Sequence, residues 1–143
     1  MKKILIILGI TMTSALYAFA GEEKINQQAL DAFQEEFSNV EEVNWVAHKD
    51  FYEVSFSYQG KKIFAFYNSK GSLLGVMHYM LSTELPDYLQ NQLKKYYPGY
   101  WIADLFEMKK DGSTNYYITL QDANKKIVLE SRDKDRWEIF KEF

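Results

Sequence analysis

Apolar residues recur every four positions in two stretches of this chain. Ile25, Ala29, Phe33 and Phe37 form the first stripe, widened by Leu30, and Leu85, Leu89, Leu93 and Tyr97 form the second. That spacing keeps the side chains on one face of an α-helix. Asn26 stands where an N-cap belongs, and Glu35 and Glu36 occupy the polar side of the first helix. In the second, Pro86 is expected in the first turn, where a missing N–H costs nothing. Lys94 and Lys95 lie near its end, where the helix dipole favours cations, and Pro98-Gly99 stops it.

Behind each helix the period changes to two, the signature of half-buried strands. The first set is Val43–Ala47, Phe51–Tyr58, Lys61–Tyr67 and Leu73–Met80; the second is Ile102–Met108, Asn115–Gln121, Lys125–Ser131 and Arg136–Lys141. The two helical stripes are 60 residues apart, position for position. A shift of 64 superimposes the later strands, setting Val54 on Ile118, Phe56 on Leu120 and Lys61-Lys62-Ile63 on Lys125-Lys126-Ile127. The difference implies a four-residue insertion, assigned to the turn between Lys109 and Thr114, since hairpin loops accept insertions. Gln59-Gly60 and Asn68-Ser69-Lys70-Gly71 carry the residues that tight turns demand.

The expected fold class is therefore α+β. Two tandem helix-plus-four-strand repeats, about 25–80 and 84–143, place their helices on one face of an antiparallel sheet. Tyr52, Val54, Phe56 and Tyr58 would face the first helix, with Glu53, Ser55 and Ser57 turned away; Tyr116, Ile118 and Leu120 would do the same in the second repeat. The strand Lys61–Tyr67 is apolar on both faces, with Ile63, Ala65 and Tyr67 on one and Phe64 and Phe66 on the other. One set must then lie on the open face. Phe51 and Tyr117 are candidates for the same side. Such aromatics either form a second small core or give a partner contact area at little entropic cost.

The first 20 residues read differently from the rest. Lys2 and Lys3 precede the apolar run Ile4–Ile10, and Ala18-Phe19-Ala20 offers a small-x-small cleavage pattern. This is the pattern of a secretory signal peptide cut between Ala20 and Gly21. It is too short and too diluted by Thr11, Thr13 and Ser14 for a membrane span of roughly 20 apolar residues. Cleavage would leave 123 residues, 21–143, without a stable membrane anchor and delivered to the periplasm or the exterior. The signal holds two of the 17 basic residues and none of the 20 acids, so the mature chain would carry a net charge of −5. That balance excludes the basic footprint that nucleic acid requires.

Chemistry is hard to find in the remaining inventory. The chain has no Cys, so disulfides, thiolate metal sites and a lipid-modified cysteine are excluded. Its two histidines, His48 and His78, are 30 residues apart without metal-ligand spacing. Neighbouring carboxylates such as Glu35-Glu36 and Glu41-Glu42 do not converge as an acid–base pair must. No nucleophile elbow or phosphate-cradling glycine loop occurs. No catalytic residue, no metal and no cofactor is expected.

The order of short motifs resembles the PepSY-like family. Ala32-Phe33, then Phe37 to Trp45, is similar to its opening, where a helix leads through a turn to a strand bearing a Trp. Tyr52-Glu53-Val54-Ser55-Phe56, Gly60-Lys61 and Asn68-Ser69-Lys70-Gly71-Ser72-Leu73-Leu74 are similar to its following strands, and Leu85-Pro86 and Tyr97-Pro98-Gly99 to the ends of its second helix. The likeness spans nearly all of residues 25–143, with two departures: Ser38 where the family has Pro, and Leu105 where a second Trp would match Trp45. The resemblance implies an exported bacterial protein of Bacteroidetes type, with a fold like that of the β-lactamase inhibitory protein. It supplies no inhibitory residue set. The functional expectation is a non-catalytic module that binds a protein, and could inhibit or regulate a secreted or envelope enzyme. Its surface residues would be Trp45, Phe51, Phe64, Phe66 and Tyr117. The alternative is a small-molecule or envelope-polymer binder using a cleft between the repeats.

Overall fold

The structure, a computed structural model, describes residues 24–143 except Lys134. The signal peptide and its cleavage point lie outside the described residues. Helix α1, Gln27–Glu36, is followed by β1 (Glu41–Ala47), β2 (Tyr52–Tyr58), β3 (Lys61–Tyr67) and β4 (Leu73–Tyr79). A short 3-10 turn at Ser82–Glu84 leads to α2, Asp87–Tyr96, and then to β5 (Trp101–Lys110), β6 (Ser113–Gln121), β7 (Lys126–Arg132) and β8 (Glu138–Glu142). All eight strands join one antiparallel sheet in the order of the chain. The two repeats meet where β4 pairs with β5, Met77 lying opposite Met108 and Tyr79 opposite Phe106.

Both helices pack on the same side of this sheet. Ala29 and Phe33 of α1 pack on Val54, Phe56, Ala65 and Tyr67, and Leu89 of α2 on Leu105, Tyr116, Ile118 and Leu129. The apolar stripes and the alternation within β2 and β6 produce this directly, since a strand offers every second side chain to the helix above it. Asn26 caps α1, its Oδ1 accepting from the Ala29 N–H at 3.0 Å. Its amide also donates to the Ser69 carbonyl, which ties the β3–β4 hairpin to the helix start. The start of α2 departs from expectation. Pro86 is the N-cap itself, outside the first turn, and the side chain of Gln90 donates to the Leu85 carbonyl at 2.8 Å.

The internal repeat is visible in backbone irregularities as well as in packing. Asn39 and Gly99, 60 residues apart, both adopt positive φ in the turn from helix to strand. The first strand of each repeat is bulged at the same place, between Glu41 and Asn44 and between Ile102 and Asp104. The four extra residues do not form a longer loop. They lengthen the β5–β6 hairpin, whose two-residue turn Asp111-Gly112 has positive φ at both positions, whereas the β1–β2 hairpin turns earlier through residues 48–51. The insertion, together with the shortening of the turn from four residues to two, adds three paired positions to each strand, Met108↔Asn115, Lys109↔Thr114 and Lys110↔Ser113, and leaves the face of every equivalent side chain unchanged.

Candidate interface on the open sheet face

The face of the sheet opposite the helices carries its own apolar cluster. Phe66, Met77 and Phe106 are buried there, with Phe51, Phe64, Leu74, Met108 and Tyr117 half-buried around them. The pleat dictates this set: Phe64 lies opposite Met77, Met77 opposite Met108, and Phe106 opposite Tyr117. The rings connect into a row across the sheet. Phe64 and Tyr79 have centroids 5.8 Å apart, Tyr79 and Phe106 6.2 Å, Phe106 and Tyr117 5.1 Å, and Tyr117 and Phe140 5.5 Å. A side branch runs from Phe66 to Phe51 at 6.0 Å and on to a stacked His48 at 4.4 Å.

Four of the five residues singled out from sequence converge on this face, and one does not. Phe51, Phe64, Phe66 and Tyr117 belong to the open-face cluster. Phe66 is only 4% exposed, so it supports the surface from beneath. Trp45 lies on the other side. It is paired with Val54, and its ring packs on Phe33 at 5.4 Å and on Tyr67 at 6.0 Å, beneath α1. The physical reason is strand alternation: Trp45 shares the face of its partner Val54, which α1 covers. Three open-face aromatics went unrecognised: Tyr79, Phe106 and Phe140, of which Tyr79 and Phe140 are exposed. Counting back from the Asp111-Gly112 turn places Phe106 opposite Tyr117 and would have found it.

Charged groups edge the row. Glu130 is buried among the aromatics, accepting from the Tyr117 hydroxyl at 2.5 Å and from Arg132 Nε at 3.0 Å. Burial first, then the Glu130 carboxylate, pushes the Tyr117 phenol up to about 12. Asp104 stands opposite Thr119, and burial raises its carboxyl above the usual range, while its Oδ2 is buried without a hydrogen-bond partner among the described residues. His48 Nε2 lies 3.3 Å from Glu53 Oε2, off the line that a hydrogen bond needs. These groups sit along a sheet surface rather than around a reaction centre. Among the described residues no three His, Asp or Glu side chains are grouped to hold a metal. Where the repeats meet, Leu73–Val76 and Lys109–Gly112 line a depression of about 200 Å³. That lies below the roughly 300–1,000 Å³ of small-molecule pockets. Among the described residues no helix is long and apolar enough to cross a membrane.

An eight-stranded meander with two helices on one face has counterparts among solved structures. A BLIP-like protein from Bacteroides fragilis superimposes with a TM-score of 0.72 at 16% identity, over 86% of this chain and 88% of that one. The chain has the BLIP-like fold. A DUF2874 family protein from Bacteroides uniformis matches with a TM-score of 0.72 at 13% identity, over 82% of this chain and 88% of the other. A DUF2874 family protein from Bacteroides ovatus gives 0.73 at 13%, over 84% and 87%. No family model and no curated protein matches the sequence. At these identities the likeness is one of fold.

Proposed function

We propose that this chain is an exported, non-catalytic module that engages a protein partner through the open face of its sheet. One observation carries the reading: a connected row of aromatic rings from Phe64 to Phe140 on the face opposite α1 and α2. Aromatic side chains with few rotatable bonds are the usual anchors of protein interfaces. The signal-like pattern of residues 1–20 supports delivery to the periplasm or exterior. The PepSY-like resemblance and the BLIP-like fold of the neighbour from Bacteroides fragilis both support binding, with inhibition or regulation of a secreted or envelope enzyme as its use.

The contact set follows from exposure: Phe64, Tyr79, Tyr117 and Phe140, with Phe51 at one margin and Phe66 and Phe106 as the buried base. The deciding experiment is capture of partners from a periplasmic extract by the wild type and by a Phe64→Ala/Tyr79→Ala double variant. Both positions reach solvent, so the variant keeps the wild-type circular dichroism while partner recovery falls. Undiminished recovery by the folded variant rejects the surface.

A further inference from the structure

Trp101, Gln121, Lys126 and Phe143 form one transverse row at the end of the open face. Trp101 lies opposite Gln121, Gln121 opposite Lys126, and the Phe143 N–H donates to the Lys126 carbonyl. The alternation that turns Ile127 and Leu129 toward α2 puts Lys126 on the other side of the sheet. Lys141, opposite Val128, shares that side. The two ammonium groups converge on one ring: Lys141 Nζ lies 4.5 Å and Lys126 Nζ 5.4 Å from the Phe143 centroid. Trp101 and Phe143 are 52% and 54% exposed, so the corner is open to a partner.

Every acid of β7 and β8 already has a cation. Arg132 takes Glu130, Arg136 takes Glu138, and Lys125 takes Glu142 on the helix side of the sheet. Asp122 of the β6–β7 turn accepts the N–H groups of Asn124 and Lys125. Asp104 of β5, two strands away, feels Lys126 without touching it. Among the described residues, Lys126 and Lys141 are thus held by a ring and by no carboxylate. A ring that holds an ammonium leaves its N–H donors to an acceptor from outside. The repeat itself does not demand this corner: under its offsets Trp101 corresponds to Glu41, and Lys141 to the buried Met77.

We propose that this end of the open face is an acid-recognising subsite, in which Lys126 and Lys141 receive a carboxylate of the protein partner. Trp101 and Phe143 take the apolar flanks of the acidic segment. The inference rests on the open-face reading and adds the chemistry of the contact. Cations at the margin of an apolar interface fix how a partner is oriented and make its association sensitive to salt.

The test is an NMR titration of the purified protein with acetyl-hexaglutamate amide. The matching hexaglutamine peptide is the uncharged control, and inorganic phosphate is a second anion. The glutamate peptide is expected to shift the Trp101 indole, Gln121 amide and Phe143 ring signals, and added sodium chloride to reverse the shifts. The Lys126→Gln/Lys141→Gln variant, with circular dichroism unchanged, weakens its binding by about fivefold or more, the combined size of two exposed charge pairs. Lys62→Gln, on the same face but opposite Ser57 and away from the corner, leaves binding as it was. Equal shifts with hexaglutamine or with phosphate, an equal loss in Lys62→Gln, or undiminished binding by the folded double variant would overturn the subsite. The outcome separates from that of the partner capture. Capture lost in Phe64→Ala/Tyr79→Ala, with an unmoved Trp101 in the titration, leaves the open face as an interface and removes its acidic anchor. Glutamate binding at the corner with undiminished capture keeps the subsite and removes the aromatic row as the contact.

Discussion

Tyr117 and Glu130 face each other across β6 and β7, at the positions that Glu53 and Phe66 hold across β2 and β3. The two repeats therefore place one acid and one aromatic at the same cross-strand pair, with the roles exchanged. In the second repeat the exchange yields a 2.5 Å hydrogen bond from phenol to carboxylate. Tyr117→Phe keeps the ring in the row and leaves a buried carboxylate with Arg132 alone. Hydrogen bonds to charged groups are worth roughly 1.5–3 kcal/mol, and the partial exposure of Tyr117 sets the expected loss near the low end, about 1–2 kcal/mol by urea unfolding. The pH dependence has a definite sign. The folded protein holds the Tyr117 proton up to about 12, against 10 for a free tyrosine. That contribution is complete below pH 10 and is lost as pH rises through about 12, because the unfolded chain ionises first. Stability measured from pH 9 to 12 should fall, and less steeply in Tyr117→Phe.

Much of this arrangement was legible because short turns fix register. Gln59-Gly60 sets Glu53 opposite Phe66, and alternation then assigns Phe64 to the same side. Asp111-Gly112 carries the same information for Phe106 and Tyr117, but placing the insertion in a loop from Lys109 to Thr114 concealed it. Four extra residues can enlarge a loop or extend a hairpin, and spacing alone does not choose between them. The β4–β5 pairing was beyond reach. Residues 80–100, with α2 among them, separate the strands, and no turn dictates that Tyr79 meets Phe106. Trp45 was misjudged for another reason: aromatic content marks contact area, but only the pleat says which face receives it.

Trp137 and Leu89 should prove the heavier of two equivalent contacts. The indole N–H donates to the Leu89 carbonyl at 3.1 Å, and both residues are buried. Under the repeat offsets, the same positions in the first unit are Leu73 and Ala29, where Leu73 is exposed. Trp137→Ala is expected to cost about 3–5 kcal/mol, as buried Trp truncations do. Leu73→Ala should cost roughly 1 kcal/mol or less. Comparable losses at the two sites in thermal or urea unfolding would show that the repeats are stapled alike.

Gly71 and Gly60 separate conformational strain from steric contact. Both adopt positive φ, at 79° and 76°. A Cβ at Gly60 meets open space, but at Gly71 it would sit 2.6 Å from the Gln28 carbonyl oxygen. Gly60→Ala should cost the left-handed penalty alone, about 1–2 kcal/mol. Gly71→Ala must also move the β3–β4 turn off the start of α1 and break the Asn26 contact to Ser69. It is expected to lose at least about 1 kcal/mol more, with faster hydrogen exchange at Ala29, whose N–H bonds to Asn26.

Tyr67 offers a substitution that should strengthen the fold. Its ring is 1% exposed in the core beneath α1, and its hydroxyl is buried without a hydrogen-bond partner among the described residues. Burial, reinforced by Glu36, pushes its ionisation far above the ordinary tyrosine value, which is the electrostatic mark of a group stripped of water. In the unfolded chain the same hydroxyl is fully hydrated, so folding forfeits that hydration and regains nothing. The penalty for an unsatisfied buried group is roughly 1–3 kcal/mol. Tyr67→Phe removes the penalty and keeps the ring contacts, including the 6.0 Å pair with Trp45. The vacated volume of one oxygen atom gives back part of the gain, since a small void forfeits dispersion contacts. A net rise of about 1 kcal/mol is expected in the urea unfolding free energy. The substitution also removes one group that ionises first in the unfolded chain, so the stability lost above pH 10 should shrink along with it. A destabilised Tyr67→Phe would mean that the hydroxyl has a donor or acceptor in solution, and hydrogen exchange at the phenol would locate it.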